Sequence, residues 1–394
     1  MVKFLPFTGY RPVLQDGEKI VDRISPPYDV IDEEHLQELQ SHPNNVTRIT
    51  LMPRDGRYKE AGAEWRRWRQ EGRLKADPVP CFYLYRQTFP TPDGARTRTG
   101  IVGVLKTEPY ENGNVIPHEE TFSKVKEDRL NLLRDTSLHS ESIFGIFPGF
   151  PGDLHERMVR GATPLYEHVD EDGVQHCYLA IEDPALVGEI QKAIEDQKML
   201  IADGHHRYET ALAYSLENLG EEKKGYVLAT LVSGDDPGLV IWPTHRLVKV
   251  DGYHETSFVS SLKKTFSVQD CPLESLGQEL PKHDLAVLLR SGKAYLLRYE
   301  DDSDPLLSLD TYIAQEKILR GMLGYDEGRA KVYFDAEMPS ALEKMSKGGY
   351  DLAILLNPPS LEKVWSLSLM GKRMPKKSTY FFPKIWSGFV YYRM

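Results

Sequence analysis

The densest group of chemically capable side chains follows a short apolar run at residues 199–202. Asp203, Gly204, His205, His206 and Arg207 stand there in succession. Glycine lets a backbone approach a ligand closely, and arginine can bind a phosphate through two parallel hydrogen bonds. The aspartate could act as helix N-cap, metal ligand or base. A capped helix with surface histidines is the alternative interpretation of the same residues.

The elements around this group favour a ligand site. The apolar run is typical of a buried strand end, and Ala211, Leu212, Leu216 and Leu219 then recur at helical spacing. A strand, a glycine turn and a helix form an anion site, because N–H groups at a helix start lack intrahelical acceptors and the helix dipole favours negative charge. Strand-to-helix turns at sheet ends are also where α/β proteins bind ligands.

A second dense stretch covers residues 116–129. It begins at a proline-fixed strand end with His118 and Glu119, and Lys124, Lys126 and Arg129 follow. A loop held at both ends could present these three cations to a polyphosphate, while Glu119 binds Mg²⁺ or acts as a base. A solvated charged loop is the alternative.

Two further positions complete the candidates. Asp29 follows Pro26-Pro27-Tyr28, which fixes its direction, and a turn aspartate is the alternative that the sequence alone favours. Lys377, Ser378 and Thr379 precede an aromatic strand and could bind phosphate, but they lack the glycine-rich lead of a P-loop. An exposed turn before a strand is the alternative there.

The whole chain excludes several classes of protein. It has 394 residues and a formal charge of −10, which speaks against a general nucleic-acid binder. Its three cysteines are far apart and suggest no disulfide framework or zinc site, and no signal peptide or membrane span is visible. We therefore expect a cytoplasmic protein without membrane contact. A zinc-hydrolase pattern, a serine nucleophile elbow and an early dinucleotide fingerprint are also missing from the sequence.

Periodicity predicts a mixed α/β fold in two domains, 1–248 and 249–394. We expect an N-terminal catalytic domain and a C-terminal α/β domain that contributes to the site. The elements that bear on this are helices at 33–40, 58–74, 184–196 and 310–322, extended chain at 44–48, and a hairpin of 81–89 with 97–107.

Four motifs together carry a resemblance to a known family. They are Pro26-Pro27-Tyr28-Asp29-Val30, Pro117-His118-Glu119 with Thr121, the run from Ala202 to Ala211, and Met374-Pro375 with Lys377-Ser378-Thr379-Tyr380-Phe381. The chain resembles the bacterial and archaeal domain-of-unknown-function family "ten-fifteen". Its central turn resembles the G-x-x-R-x-x-x-A helix start of the ParB/sulfiredoxin superfamily, in which that turn holds nucleotide phosphates.

The resemblance implies a ParB/sulfiredoxin-like nucleotide-binding domain related to free-serine kinases. It implies a phosphate role for Gly204, His205, His206 and Arg207. The catalytic glutamate of the serine kinases has no counterpart by motif, and Asp29 or Glu119 is expected to replace it.

We therefore expect a small-molecule kinase that uses ATP or ADP and Mg²⁺ to phosphorylate a hydroxyl group, such as that of free serine or a related amino acid. Asp203 and Glu119 are the predicted metal ligands, and Asp29, His118, Glu119 and Asp203 the predicted catalytic residues. The predicted phosphate ligands beyond the central turn are Lys124, Lys126, Arg129, Lys377, Ser378 and Thr379. A ParB-type nucleotide-binding switch and a phosphate-ester hydrolase are the alternatives, and the oligomeric state, a homodimer included, stays open.

Overall fold

The computed structural model describes residues 1–51, 58–121, 123–277, 280–281 and 284–394, and their side chains except 123–125, 275 and 277. The α-helices of these residues are α1 (Glu33–Ser41), α2 (Thr47–Thr50), α3 (Tyr58–Gln70), α4 (Ser123–Thr136), α5 (Leu154–Gly161), α6 (Pro184–Glu195), α7 (His205–Glu217), α8 (Glu255–Thr265), α9 (Asp310–Ile313), α10 (Met338–Ser346) and α11 (Leu361–Leu369).

The strands of the same residues alternate with these helices along the chain. They are β1 (Phe4–Leu5), β2 (Tyr10–Pro12), β3 (Leu74–Ala76), β4 (Phe82–Thr91), β5 (Gly94–Lys106), β6 (Val115–Ile116), β7 (Leu138–His139), β8 (Ile143–Phe147), β9 (Thr163–Val169), β10 (Gln175–Ile181), β11 (Met199–Asp203), β12 (Tyr226–Ser233), β13 (Val240–Trp242), β14 (His245–Val250), β15 (Ser267–Cys271), β16 (Asp284–Leu289), β17 (Ala294–Arg298), β18 (Ala330–Asp335), β19 (Leu352–Leu355), β20 (Tyr380–Phe382) and β21 (Tyr392–Arg393). The predicted mixed α/β fold is confirmed.

The chain divides into two compact units. Unit 1 comprises residues 1–117, 121–239 and 383–394, and unit 2 comprises residues 118–120 and 240–382. The predicted domain boundary at residue 248 stays a prediction about folding units.

Unit 1 is built on a mixed sheet. Among the described residues it has nine strands in the order β6-β11-β8-β12-β5-β4-β10-β9, with β1 beside β5. The predicted hairpin is confirmed, since β4 and β5 pair antiparallel up to Thr91 and Gly94 and only Pro92 and Asp93 form the loop. Strand β8 runs antiparallel to β11 and parallel to β12, so the start of β8 lies beside the end of β11.

Helix α6 shows how the sequence covers this sheet. The side chain of Asp183 accepts hydrogen bonds from the N–H groups of Ala185 and Leu186, and Pro184 occupies the first turn, where a missing N–H costs nothing. Leu186, Val187, Ile190 and Ile194 recur at intervals of three and four, and they pack into the main apolar core of unit 1.

Unit 2 contains a six-stranded sheet among its described residues, in the order β15-β17-β16-β19-β14-β18. Both faces of β16 are buried, because alternate residues of a strand point to opposite sides. Leu285, Val287 and Leu289 belong to one apolar cluster, and Ala286 and Leu288 belong to another. This double burial explains why the strand is an unbroken apolar run.

Two local predictions were wrong in detail. Residues 44–48 are not extended, because Oδ1 of Asn45 accepts hydrogen bonds from the backbone N and hydroxyl of Thr47 and so starts α2. The helix expected at 58–74 ends at Gln70, where Gly72 takes φ +68° and β3 follows.

The helix expected at 310–322 changes its hydrogen bonding part-way. It is α-helical over Asp310–Ile313 and π-helical over Ala314–Arg320. Within the described ranges, no helix is both long and apolar enough to cross a membrane.

Candidate functional site

The predicted strand, glycine turn and helix are confirmed at the central group. Strand β11 ends at Asp203, and Gly204 is the N-cap of α7 with φ +90° and ψ 29°, in the left-handed region that glycine adopts without strain. The interpretation of Asp203 as N-cap was wrong, because Gly204 holds that position. The aspartate instead pairs with cations.

Gly204 also makes room for Arg207. A Cβ atom at position 204 would lie 3.0 Å from Nε of Arg207, closer than ordinary van der Waals contact. The guanidinium therefore lies directly over the glycine. Its Nη1 donates a hydrogen bond to the carbonyl of Ser142, and its Nη2 lies 3.5 Å from Oδ2 of Asp203.

A second cation reaches the same carboxylate. Nζ of Lys384 is 3.4 Å from Oδ2 of Asp203, and the side chains of both Lys384 and Arg207 are only 13% exposed. Asp203 itself is 27% exposed. Solvent reaches the carboxylate, whereas the two cations that hold it are largely buried. Their attraction to Asp203 is stronger than that of a fully exposed ion pair, because less water screens it.

Arg98 adds positive charge nearby. Burial lowers the pKa of its guanidinium to about 10, and the negative charge of Asp203 is among the influences that oppose this lowering. Arg98 donates hydrogen bonds to the side chain of Gln87 and the carbonyl of Pro383. It is therefore a fixed cation of the β5 strand rather than a mobile surface side chain.

Glu141 is a further carboxylate whose charge acts on Arg207. Its side chain is 9% exposed, and Oε2 is 3.8 Å from Nη1 of Arg129. Burial raises the pKa of this carboxyl, the cations Arg207 and Arg129 act in the opposite direction, and the charges of Asp29 and Asp203 raise it further. Glu141 thus shares its surroundings with four of the predicted site residues.

Tyr28 connects the predicted Asp29 to this region. The guanidinium carbon of Arg129 is 5.1 Å from the centre of the Tyr28 ring, a cation–π contact. Burial is the main cause that raises the pKa of Tyr28 to about 12, with Arg207 opposing it. Asp29 is exposed, and its charge acts on Tyr28, Glu141 and Arg207.

The other predicted residues of unit 1 are spread around α7. His205 is buried and His206 is partly exposed. Lys126 forms an ion pair with Glu209 at 2.9 Å, and Arg129 donates to the carbonyl of Thr50 at 2.9 Å. Lys124 lies in α4, but its side chain falls outside the described part of the chain.

The remaining predicted residues meet one another in unit 2. Nε2 of the buried His118 is 2.9 Å from the hydroxyl of Thr379, and the backbone N–H of Lys377 donates to Oε1 of Glu119. Lys377 has φ +58°, and its carbonyl accepts from Thr244 and Arg246. Ser378 is buried and donates to the carbonyl of Pro375. These side chains, distant in sequence, therefore lock one turn together.

A magnesium ion would need ligands from this chain and from a nucleotide. Among the described side chains, no group of three or more His, Cys, Asp or Glu could hold a metal ion. Mg²⁺ in nucleotide enzymes often takes only one or two protein carboxylates and fills its other positions with phosphate oxygens and water. The partly exposed Asp203 could serve as such a carboxylate, with phosphate oxygens and water as the other ligands.

The comparison with protein families decides the relationship. The model of the family described as "Protein of unknown function (DUF1015)" matches residues 4–312. The chain belongs to the DUF1015 family. This DUF1015 protein therefore has the membership predicted from its four motifs, three of which lie wholly inside the matched range.

Several solved structures of other proteins are similar to this DUF1015 protein. A variant of a free serine kinase in complex with AMP is 16% identical with a TM-score of 0.40, and the match covers 68% of this chain and 84% of that one. A conserved hypothetical protein from Pyrococcus furiosus is 16% identical with a TM-score of 0.38, covering 69% and 89%. SbnI with a C-terminal truncation, from Staphylococcus aureus, is 12% identical with a TM-score of 0.39, covering 73% and 85%. No curated protein matches the chain.

Three residues of the site escaped the sequence analysis. Glu141, Arg98 and Lys384 are far from the central turn in sequence, and only strand pairing and the path of the C-terminus bring them close. A partial signal exists for Glu141, because Ser140-Glu141-Ser142 places a charge directly before the apolar strand β8.

Proposed function

We propose that this protein is a small-molecule kinase. It transfers a phosphoryl group from ATP or ADP to a hydroxyl group of a small metabolite, with free serine or a related amino acid as the first candidate. The observation that carries the proposal is the meeting of Arg207 and Lys384 on Asp203 at the start of α7. Phosphoryl transfer depends mainly on cations and positioned backbone groups that stabilise phosphate charge, together with a carboxylate for a metal or proton.

The roles follow from the surroundings of each side chain. The Gly204–Arg207 turn binds the phosphates, and Lys384, with its three ammonium hydrogens, can hold Asp203 and a phosphate oxygen together. Mg²⁺, held by Asp203, would neutralise charge on the transferred group. The assignment of Lys126 and Arg129 to the same nucleotide site stays part of the proposal. The roles predicted for Glu119, His118 and residues 377–379 stay predictions.

Nucleotide binding to the Lys384→Ala variant tests this proposal. A charged hydrogen bond to phosphate contributes roughly 1.5–3 kcal/mol, so the Kd for ATP or ADP should rise about 10- to 100-fold in isothermal titration with Mg²⁺ present. Lys192→Ala removes an exposed lysine from α6 of the same unit and should leave the Kd unchanged. If the wild-type protein binds neither nucleotide at millimolar concentration, with or without Mg²⁺, the proposal is wrong.

Turnover separates the kinase from a hydrolase. The protein is offered ATP or ADP with serine, threonine, homoserine or glycerate, and the phosphorylated acceptor is measured by mass spectrometry. A kinase forms that product only when an acceptor is present. Release of inorganic phosphate at the same rate without any acceptor would contradict the kinase assignment.

A further inference from the structure

The position of Glu141 follows from the pairing of two strands. Strand β8 runs antiparallel to β11, with Phe144 opposite Asp203 and Ile146 opposite Leu200. The residues just before β8 must therefore lie next to the turn that follows β11. This places Glu141 one residue before Ser142, whose carbonyl accepts the hydrogen bond from Arg207.

The carboxylate of Glu141 is buried, and Arg129 does not form a hydrogen bond to it. The distance of 3.8 Å between Oε2 and Nη1 of Arg129 is too long for a hydrogen bond. Arg129 uses its own hydrogen bonds elsewhere, to Asp128 and to the carbonyl of Thr50. Because burial raises the pKa of Glu141, its carboxylate is a stronger base than an exposed glutamate.

A small cavity opens beside this carboxylate. It has a volume of about 40 Å³, and Glu141 lines it together with Arg129, Arg207, His139, Leu132 and Leu133. The lining therefore combines charged side chains with apolar ones, which suits a small molecule that carries both a charged group and an apolar carbon.

The size and lining of the cavity limit what enters it. A volume of about 40 Å³ has room for a few water molecules or one hydroxymethyl group, and a nucleotide base or sugar ring is too large. The leucines would contact the carbon of such a group, and Arg129 and Arg207 favour a neighbouring negative charge on the same molecule.

We propose that Glu141 is the general base for phosphoryl transfer and that the acceptor is a small, negatively charged or zwitterionic alcohol whose hydroxymethyl group enters this cavity. The inference rests on the proposed kinase function and adds a residue to it. The acceptor oxygen attacks the terminal phosphorus of the nucleotide, and its proton passes to Oε of Glu141. The bond from that phosphorus to the bridging oxygen breaks, and the bridging oxygen keeps the electron pair as ADP leaves from ATP, or AMP from ADP.

The test compares wild type, Glu141→Gln and the control Glu217→Gln. Glu217 is an exposed carboxylate on α7, paired with Arg134, so its amide variant matches the chemical change away from the cavity. Each protein is assayed for nucleotide Kd by titration and for kcat from pH 5 to 9 with the hydroxy acids named above. Loss of a general base lowers kcat by roughly 100- to 10,000-fold.

We expect the nucleotide Kd of Glu141→Gln to stay within about twofold of wild type while its kcat falls roughly 100- to 10,000-fold. The control Glu217→Gln should match wild type in both. The decrease of kcat at acidic pH, which reports protonation of the base, should disappear from the residual activity of Glu141→Gln. Thermal unfolding shows whether the variant is folded.

Three results would overturn the inference. If wild type transfers phosphate and Glu141→Gln retains its kcat and its acid limb, Glu141 is not the base, although the kinase function stands. If a folded Glu141→Gln loses nucleotide binding as well, the residue serves binding. If wild type neither binds nucleotide nor phosphorylates any of these probes, the kinase function fails and this inference fails with it.

Discussion

Gly204 is the residue whose replacement should disturb the site most directly. Its φ of +90° is strained for any residue with a side chain, and an added Cβ would lie 3.0–3.1 Å from the guanidinium of Arg207. We expect Gly204→Ala to reduce the free energy of unfolding by about 2 kcal/mol, because left-handed backbone alone costs about 1–2 kcal/mol for an L-residue. Urea denaturation measures the change.

Gly188 supplies the matched control for that substitution. It lies inside α6, is exposed, and a Cβ there meets no heavy atom within 4 Å. Alanine should therefore stabilise the protein by about 0.5–1 kcal/mol at this position. Equal effects of alanine at 188 and 204 would show that the turn geometry does not matter for stability.

Two buried histidines should make the protein sensitive to acid. Burial lowers the pKa of His139 in unit 1 and of His245 in unit 2 to about 4. Each ring is neutral when folded and takes up a proton on unfolding below about pH 6.5. The free energy of unfolding therefore has its full value above about pH 6.5. It decreases by roughly 3 kcal/mol for each histidine as the pH falls from 6.5 toward 4.

Melting temperatures at pH 7 and pH 4.5 measure this loss. His139→Phe and His245→Phe should each reduce the difference between the two pH values, since the group that takes up the proton is gone. His254→Gln removes an exposed histidine and should leave the difference as in wild type. Phenylalanine variants with the wild-type pH dependence would argue against the lowered pKa values.

Neighbouring strands of unit 1 are joined by a buried chain of hydrogen bonds. The hydroxyl of Tyr85 on β4 is 2.6 Å from Nδ1 of His176 on β10, and Nε2 of His176 is 2.9 Å from Oδ2 of Asp170. Burial tends to raise the pKa of Asp170, but the hydrogen bonds from His176 and the N–H of Val174 lower it overall. An ionised Asp170 only accepts, so Nε2 of His176 donates to it, and the contact between Nδ1 and the Tyr85 hydroxyl completes the chain.

Removal of the Tyr85 hydroxyl should therefore be costly. Tyr85→Phe leaves Nδ1 of a fully buried histidine without its hydrogen-bond partner, and we expect a loss of about 1–3 kcal/mol in the free energy of unfolding. Tyr391→Phe is the control, because the Tyr391 hydroxyl is buried and has no hydrogen-bond partner within the described chain. Chemical denaturation should show a much smaller change for Tyr391→Phe, and a reversed order would refute the hydrogen-bond chain as a source of stability.

At the level of elements, local patterns predicted what depends on nearby residues. The β4–β5 hairpin follows directly from alternation and turn residues. Residues 44–48 were mispredicted because a side-chain hydrogen bond from Thr47 to Asn45 outweighed the extended preference. The spacing of apolar residues in the π-helical stretch Ala314–Arg320 is so close to that of an α-helix that the sequence does not distinguish the two.

On the scale of the whole molecule, the C-terminus returns to unit 1. Residues 383–394 belong to that unit, where β21 pairs with β7 and the buried Tyr391 packs on Trp65 and Trp68. Lys384, the partner of Asp203, lies on the same segment. The last residues of the chain therefore contribute both to the core and to the candidate site.

Truncation after Phe382 should destabilise unit 1 by more than about 3 kcal/mol, since removal of a single buried aromatic side chain costs 3–5 kcal/mol. Thermal unfolding and limited proteolysis would detect the change. Arg393→Ala, which alters an exposed side chain of the same segment, should stay within about 0.5 kcal/mol of wild type. A truncated chain with the wild-type melting temperature would show that the segment does not stabilise unit 1.

The sequence by itself determined the local structure of the central turn and the family of the chain. Asp203-Gly204 after an apolar run, followed by helical spacing, predicts the strand, the left-handed glycine and the helix because each depends on residues only a few positions apart. Only the tertiary structure decided which side chains surround that turn. Glu141, Arg98 and Lys384 reach it through strand register and the return of the C-terminal segment, and these pairings depend on packing between segments that lie far apart in the chain.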